Sequence, residues 1–221
     1  DLGGIERNIA LPHSPDKVKR IREVAGLPVD QVLIGSCTNS SYRDLMTVAA
    51  MLQGRKVHPR VGFGVAPGTR QVLSMISANG ALAHIVDAGA RILESACGFC
   101  VGYGQAPHTG AVSVRTGNRN FEGRCGTQDA QVCLVSPEAA VAAALTGRIT
   151  DPRDLESELA YPRIQDPERY LVETSAIIAP TEEMSRTEVV RGPNIRPLPE
   201  MEPLPEDLEA EIILKVGDDI S

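Results

Sequence analysis

The groups best suited to hold a metal are three cysteines set among small residues. Cys37 lies in Gly35-Ser36-Cys37-Thr38-Asn39-Ser40, and Cys97-Gly98-Phe99-Cys100 forms a C-x-x-C pair. Such a pair alone suits a redox couple, half a zinc site or part of an iron–sulfur site. The small polar neighbours of Cys37 leave its thiolate uncrowded and supply hydrogen-bond donors. Three thiolates on a four-iron cluster leave one iron without a protein ligand, and that iron works as a Lewis acid rather than an electron carrier. Two rivals stay open. His84 or His108 would complete a zinc site of three thiolates and one imidazole, and Cys125 as a fourth ligand would close a cluster and turn it toward electron transfer. Cys125 and Cys133 are otherwise read as structural.

A second polar constellation is Gly117-Asn118-Arg119-Asn120-Phe121-Glu122-Gly123-Arg124. Guanidinium forks bind carboxylates bidentately and stay charged at any useful pH, and asparagine adds neutral donors that orient a ligand. The loop suits a small polycarboxylate; the competing reading has its arginines paired with surface Asp and Glu. Pro67-Gly68-Thr69 before a helix is a weaker anion signal, and an ordinary capped helix start explains it equally well.

The elements that must carry these residues alternate between strand and helix. Apolar runs predict strands at Gln31–Ile34, Arg60–Val65, Arg91–Glu94, Val112–Arg115 and Gln131–Val135. Helices are expected over Ser40–Leu52, Thr69–Ala78, Gly80–Ala88 and from Ser136-Pro137-Glu138 to Gly147. Ser14-Pro15-Asp16 also reads as a helix start, with the helix ending near Ala25. Such alternation predicts a mostly parallel sheet in a three-layer α/β/α arrangement. Ligands of open α/β sheets gather at the carboxyl ends of strands, and Cys37, Cys97, Cys100 and the Gly117–Arg124 loop all follow predicted strands. Distant cysteines can therefore meet at one sheet edge.

Three of these segments, in this order, resemble motifs of the aconitase and isopropylmalate isomerase family. Val32-Leu-Ile-Gly-Ser-Cys37-Thr-Asn-Ser-Ser-Tyr-Arg-Asp44 resembles its first cluster-cysteine motif, and Glu94-Ser-Ala-Cys97-Gly-Phe-Cys100 its second. Gly117-Asn-Arg-Asn-Phe-Glu-Gly-Arg124 resembles its substrate loop, and Val135-Ser-Pro137 with the Ala-rich helix also fits. The resemblance implies a [4Fe–4S] cluster on Cys37, Cys97 and Cys100 with one labile iron. It implies that Asn118, Arg119 and Arg124 bind substrate carboxylates or line the site. The implied reaction is reversible dehydration of a hydroxy-polycarboxylic acid, as in citrate to isocitrate through cis-aconitate. In this family further site residues come from an N-terminal region, and the base is a Ser on a C-terminal swivel domain. The expectation is thus a domain resembling the third domain of aconitase over residues 1–150, a Pro-rich connector over 151–208, and the start of a swivel domain over 209–221. No catalytic residue is expected in this chain, which should be inactive without its partner domains. Prolines 193, 197, 199, 203 and 205 forbid regular structure in the connector, and Glu209–Val216 reads as a strand. The continuing tail favours a single-chain aconitase or related hydratase over a 3-isopropylmalate or homoaconitate-type dehydratase.

Composition sets outer limits. The 221 residues carry a formal net charge of −7, with no clustered basic surface for nucleic acid, so an RNA-binding role finds no support. No apolar run is long enough to span a membrane, and no signal peptide is visible. Five cysteines do not suggest a disulfide framework, which points to a reducing compartment, most simply the cytoplasm. The chain begins at Asp1, as a fragment or a processed form would.

Overall fold

Runs of β-branched and small apolar residues become the strands of one seven-stranded sheet. In the computed structural model these are β1 (Asn8–Ala10), β2 (Val18–Arg20), β3 (Gln31–Ile34), β4 (Gly62–Val65), β5 (Arg91–Ile92), β6 (Val112–Arg115) and β7 (Gln131–Leu134), in the order β2-β1-β7-β6-β3-β4-β5. The structure describes residues 5–155, 162–172, 174–175, 177–182, 188, 190–203, 206–207 and 209–217. The five strands from β7 to β5 are parallel, with Val32 opposite Phe63 on one side and Val114 on the other. Within the sheet, among the described residues, only β1 runs against the others, pairing antiparallel with both β2 and β7. The mostly parallel α/β fold expected from the alternation is therefore present.

Among the described residues four α-helices complete it: α1 (Tyr42–Leu52), α2 (Arg70–Ala78), α3 (Ala81–Asp87) and α4 (Pro137–Thr146). Each of three begins where a hydroxyl can take up a free amide. Ser41 accepts from the Asp44 amide while Asp44 accepts from the Ser41 amide, Thr69 accepts from Val72, and Ser136 accepts from Ala139 ahead of Pro137. Gly147 ends α4 in the left-handed conformation. α1 packs against α3 and α4, and α4 against β3. Period-two alternation directs Val32 and Ile34 into this main core with Leu45, Val48 and Leu52. Leu33 points to the opposite face, where Ala66 and Phe99 form a smaller core with Leu93 and Cys100 against it.

The helix expected from Ser14 does not form. Ser14-Pro15-Asp16-Lys17 is a turn: the Lys17 amide donates to the Ser14 carbonyl (3.2 Å) and the Asp16 amide to Ser14 Oγ (3.3 Å). The chain then pairs as β2 with β1, followed by the 3-10 helix Ile21–Glu23. The Ser-Pro-Asp signature serves a turn as well as a cap, and here the edge of the sheet takes up the backbone bonds.

The chain divides into two compact units, Asp1–Thr174 and Ser175–Ser221. The first includes the 3-10 helix Pro152–Leu155, where Asp151 is fully buried. In the second, no helix or strand occurs among the described residues, and the Ile195 amide closes a turn onto the Gly192 carbonyl (3.0 Å). Glu209–Val216, expected as a strand, has no ladder partner among the described residues. No helix of the described residues is long and apolar enough to cross a membrane.

Candidate active site

The chain runs outward from β3 to β4 and β5, then returns to the other side of β3 as β6 and β7. The sheet order thus reverses between β3 and β6, where a crevice opens beyond the carboxyl ends of the strands. Loops after β3, β5 and β6 carry the singled-out residues to that crevice.

The loop after β3 is tightly built. Gly35 has φ +149, and a Cβ there would stand 2.6 Å from the Ala66 carbonyl oxygen and 3.1 Å from the Phe99 ring. Ser36 follows with φ +90, a sparsely populated conformation for a side-chain-bearing residue, held in place because it is buried. Thr116, just beyond β6, locks this loop to the next: its Oγ1 accepts from the Gly35 amide and donates to the Gly35 carbonyl, both at 2.9 Å. Asn39 Nδ2 donates to the Thr116 carbonyl, and Thr38 Oγ1 donates to Asn118 Oδ1 at 2.6 Å. Asn118 is thereby oriented beside Cys37.

The loop after β5 turns through the 3-10 helix Phe99–Val101, with Phe99 buried against Leu33 and Ala66. Gly102 ends it at φ +83; a Cβ there would lie 2.2 Å from the Cys125 carbonyl oxygen. Only glycine lets the C-x-x-C segment and the end of the Gly117–Arg124 loop come this close.

One cavity results. Cys37, Cys97, Cys100, Asn118, Arg119 and Arg124 all line it, as does Gly117. Cys37 and Cys97 are exposed and Cys100 is half-buried. Burial pushes the Cys100 thiol up, and Cys97 beside it adds to the rise; Arg115 opposes this, while Cys37 and Cys125 raise it further. The sulfurs share one electrostatic neighbourhood. Among the described residues Arg124 Nε is buried with no hydrogen-bond partner, and Arg124 lines the cavity. Asn120, by contrast, is structural: fully buried, its amide donates to the Leu11 (2.8 Å) and Val132 (3.0 Å) carbonyls.

Neither His84 nor His108 lines the cavity, and among the described residues no three of His, Cys, Asp or Glu converge on one point that could hold a single ion. Thiols set around a cavity suit a group that meets each ligand at a different metal atom, as an iron–sulfur cluster does. Thr69 does no more than cap α2, and Pro67-Gly68-Thr69 is absent from the cavity lining.

Cys125, weighed from the sequence as a closing ligand or a structural thiol, also lines the cavity with Ser36 and Phe99, and so does Arg115, to which the sequence motifs assign no role. The available signal was Arg115 itself, a charge at the end of the apolar run Val112-Ser-Val-Arg115. A charge in a central strand of a parallel sheet is buried, and so has a task.

Fold and site together define an α/β protein with a thiol-lined and arginine-lined cavity at its topological switch point. The family model described as "Aconitase family (aconitate hydratase)" matches residues 2–147. The chain belongs to the aconitase family. It is 39% identical over 160 residues to a 3-isopropylmalate dehydratase large subunit of Moorella thermoacetica, covering 70% of this chain and 37% of that one. It is 42% identical over 161 residues to a homoaconitase large subunit of Thermus thermophilus, covering 72% and 38%. It is 44% identical over 156 residues to a probable methanogen homoaconitase large subunit of Methanosarcina mazei, covering 70% and 39%. The chain thus spans under two fifths of the length of these relatives.

Proposed function

We propose that this chain is the cluster-bearing part of a hydro-lyase that reversibly dehydrates a hydroxy-polycarboxylic acid. The observation that carries this reading is the common cavity of Cys37, Cys97, Cys100, Asn118, Arg119 and Arg124, drawn from three loops at the reversal of strand order. The three thiols would hold a [4Fe–4S] cluster, which supplies a Lewis acid at the iron without a protein ligand. Arg119 and Arg124 take the substrate carboxylates as bidentate forks, with Arg124 Nε as a donor already stripped of water. Asn118, held by Thr38, orients the substrate between them. The base that removes the carbon-bound proton is supplied from outside this chain, by the swivel domain whose start we assign to residues 209–221 beyond a connector over 151–208.

Two substrate classes are favoured. The tail beyond α4 favours citrate and isocitrate in a single-chain enzyme, whereas the names of the relatives favour 3-isopropylmalate or homoaconitate in a two-subunit one. Anaerobic reconstitution followed by iron and sulfide counts tests the shared part of the proposal. The unsubstituted chain should take up both, and Ser replacement of Cys37, Cys97 and Cys100 together should abolish uptake. Zinc bound without sulfide would instead establish a structural module. Turnover of the three acids by the chain joined to its complementing domains then separates the substrates.

A further inference from the structure

Arg115 ends β6 on the floor of the cavity and is 2% exposed. A guanidinium keeps its charge in a protein, so burying one demands acceptors for its protons and a counter-charge. Four acceptors surround it. Nε donates to Ser113 Oγ (2.9 Å), Nη1 to the Phe99 carbonyl (2.6 Å), and Nη2 to Gln31 Oε1 and the Gln105 carbonyl (both 3.0 Å). None of these acceptors is a carboxylate. The ionisable groups that share its cavity lining include Cys100 and Cys125, so its counter-charge has to come from that side of the cavity. Phe99 sits inside the C-x-x-C turn and Gln105 just beyond its exit. The same side chain therefore pins that turn to β3 and β6 and places a fixed cation behind its second sulfur.

We propose that Arg115 is a positioning residue for the cluster thiols: it anchors the Cys97–Cys100 turn to the sheet and offsets, from below, the negative charge of a bound iron–sulfur cluster. This rests on the assignment of Cys37, Cys97 and Cys100 as cluster ligands made above. Cluster potentials follow net charge and the hydrogen bonds around the sulfurs. Without the cation, the reduced and more negative state loses its compensation. An ammonium on a flexible stem restores the charge but cannot span acceptors on three segments.

The test compares Arg115→Gln and Arg115→Lys with the unsubstituted 221-residue chain. Amide hydrogen exchange is followed over residues 97–105 in the metal-free state. Reduction potential and cluster loss in air are followed after reconstitution. Both variants should speed exchange over 97–105 by about tenfold, as loss of hydrogen bonds from a charged donor implies. Arg115→Gln should move the potential to more negative values and hasten cluster loss. Arg115→Lys should bring the potential back toward that of the unsubstituted chain, a rescue that a purely structural role would not give. Unchanged exchange, or a potential identical in Arg115→Gln and the unsubstituted chain, overturns the proposal. If Arg115→Gln does not fold, Arg115→Lys decides: exchange over 97–105 as slow as in the unsubstituted chain overturns it. Should the unsubstituted chain assemble no cluster, the ligand assignment is what fails, and the exchange arm still decides for or against the anchoring by Arg115.

Discussion

Burial sorts five chemically identical thiols into different reactivities. Cys37 and Cys97 are exposed, while Cys125 and Cys133 are buried. Burial pushes the Cys133 thiol up to about 11, so at pH 8 only about one molecule in a thousand carries it as the thiolate. Iodoacetamide at pH 8 should therefore label Cys37 and Cys97 first and Cys133 last in the folded, metal-free chain. Peptide mapping over time reads the order, and early labelling of Cys133 would contradict its place in the core. Backbone demands separate glycines in the same way. Gly35 and Gly26 both have positive φ, but a Cβ at Gly35 would collide with the Ala66 carbonyl and one at Gly26 would meet nothing within 4 Å. Gly26→Ala should cost about 1 kcal/mol from the backbone conformation alone. Gly35→Ala should cost about 3 kcal/mol, strain and overlap together. Urea denaturation of the two variants compares them directly.

Elements were legible where one local pattern has one structural outcome. The apolar runs at Gln31–Ile34 and Val112–Arg115 are strands, and hydroxyl residues before α1, α2 and α4 cap them. Ser-Pro-Asp at residue 14 misled because it fits both a helix start and a turn, and β1, too short to announce itself, decided between them. The site residues on loops were legible through types and order. Arg115 was not, because its role arises from distant partners, Phe99, Gln105 and Gln31, and the sequence left Cys125 open between ligand and structural thiol, since only the fold shows the close approach of Gly102 to it. The cap of α1 matters beyond its own helix, since Ser41 lies only four residues after Cys37. Ser41→Ala removes one half of a reciprocal pair with Asp44 and should cost about 1 kcal/mol in a thermal or urea melt. A loss no greater than that of an exposed substitution within α1 would show that packing against α3 and α4 suffices.

At the scale of the first compact unit, segments far apart in sequence are tied by one charged network. Asp151 is fully buried beyond α4, and Arg153 grips it through Nε (3.1 and 3.2 Å) and Nη2 (2.7 Å). Arg153 Nη2 also reaches Glu6 (2.6 Å), and Arg22 Nε adds a bond to Asp151 (3.0 Å). Residues near 6, 22 and 151 are thus joined across the unit. The hydrogen bonds from Arg153, then those from Arg22, outweigh burial and hold the Asp151 carboxyl well below the usual carboxylate range; Arg153 lowers Glu6 likewise. Because the folded pKa lies below the unfolded one, this stabilisation is complete above the unfolded value of about 4 and is lost as pH falls toward the folded one. Asp151→Asn keeps the shape and removes the charge, so it should destabilise by about 2–3 kcal/mol near neutral pH, the worth of bonds to a buried charged acceptor. The gap between the two proteins should stay constant from about pH 7 to 5 and narrow steadily below about pH 4. Urea unfolding at a series of pH values measures it. A gap that does not change below pH 4 would mean that folding leaves the Asp151 pKa where it is in the unfolded chain, and that the arginines do not hold the carboxylate ionised.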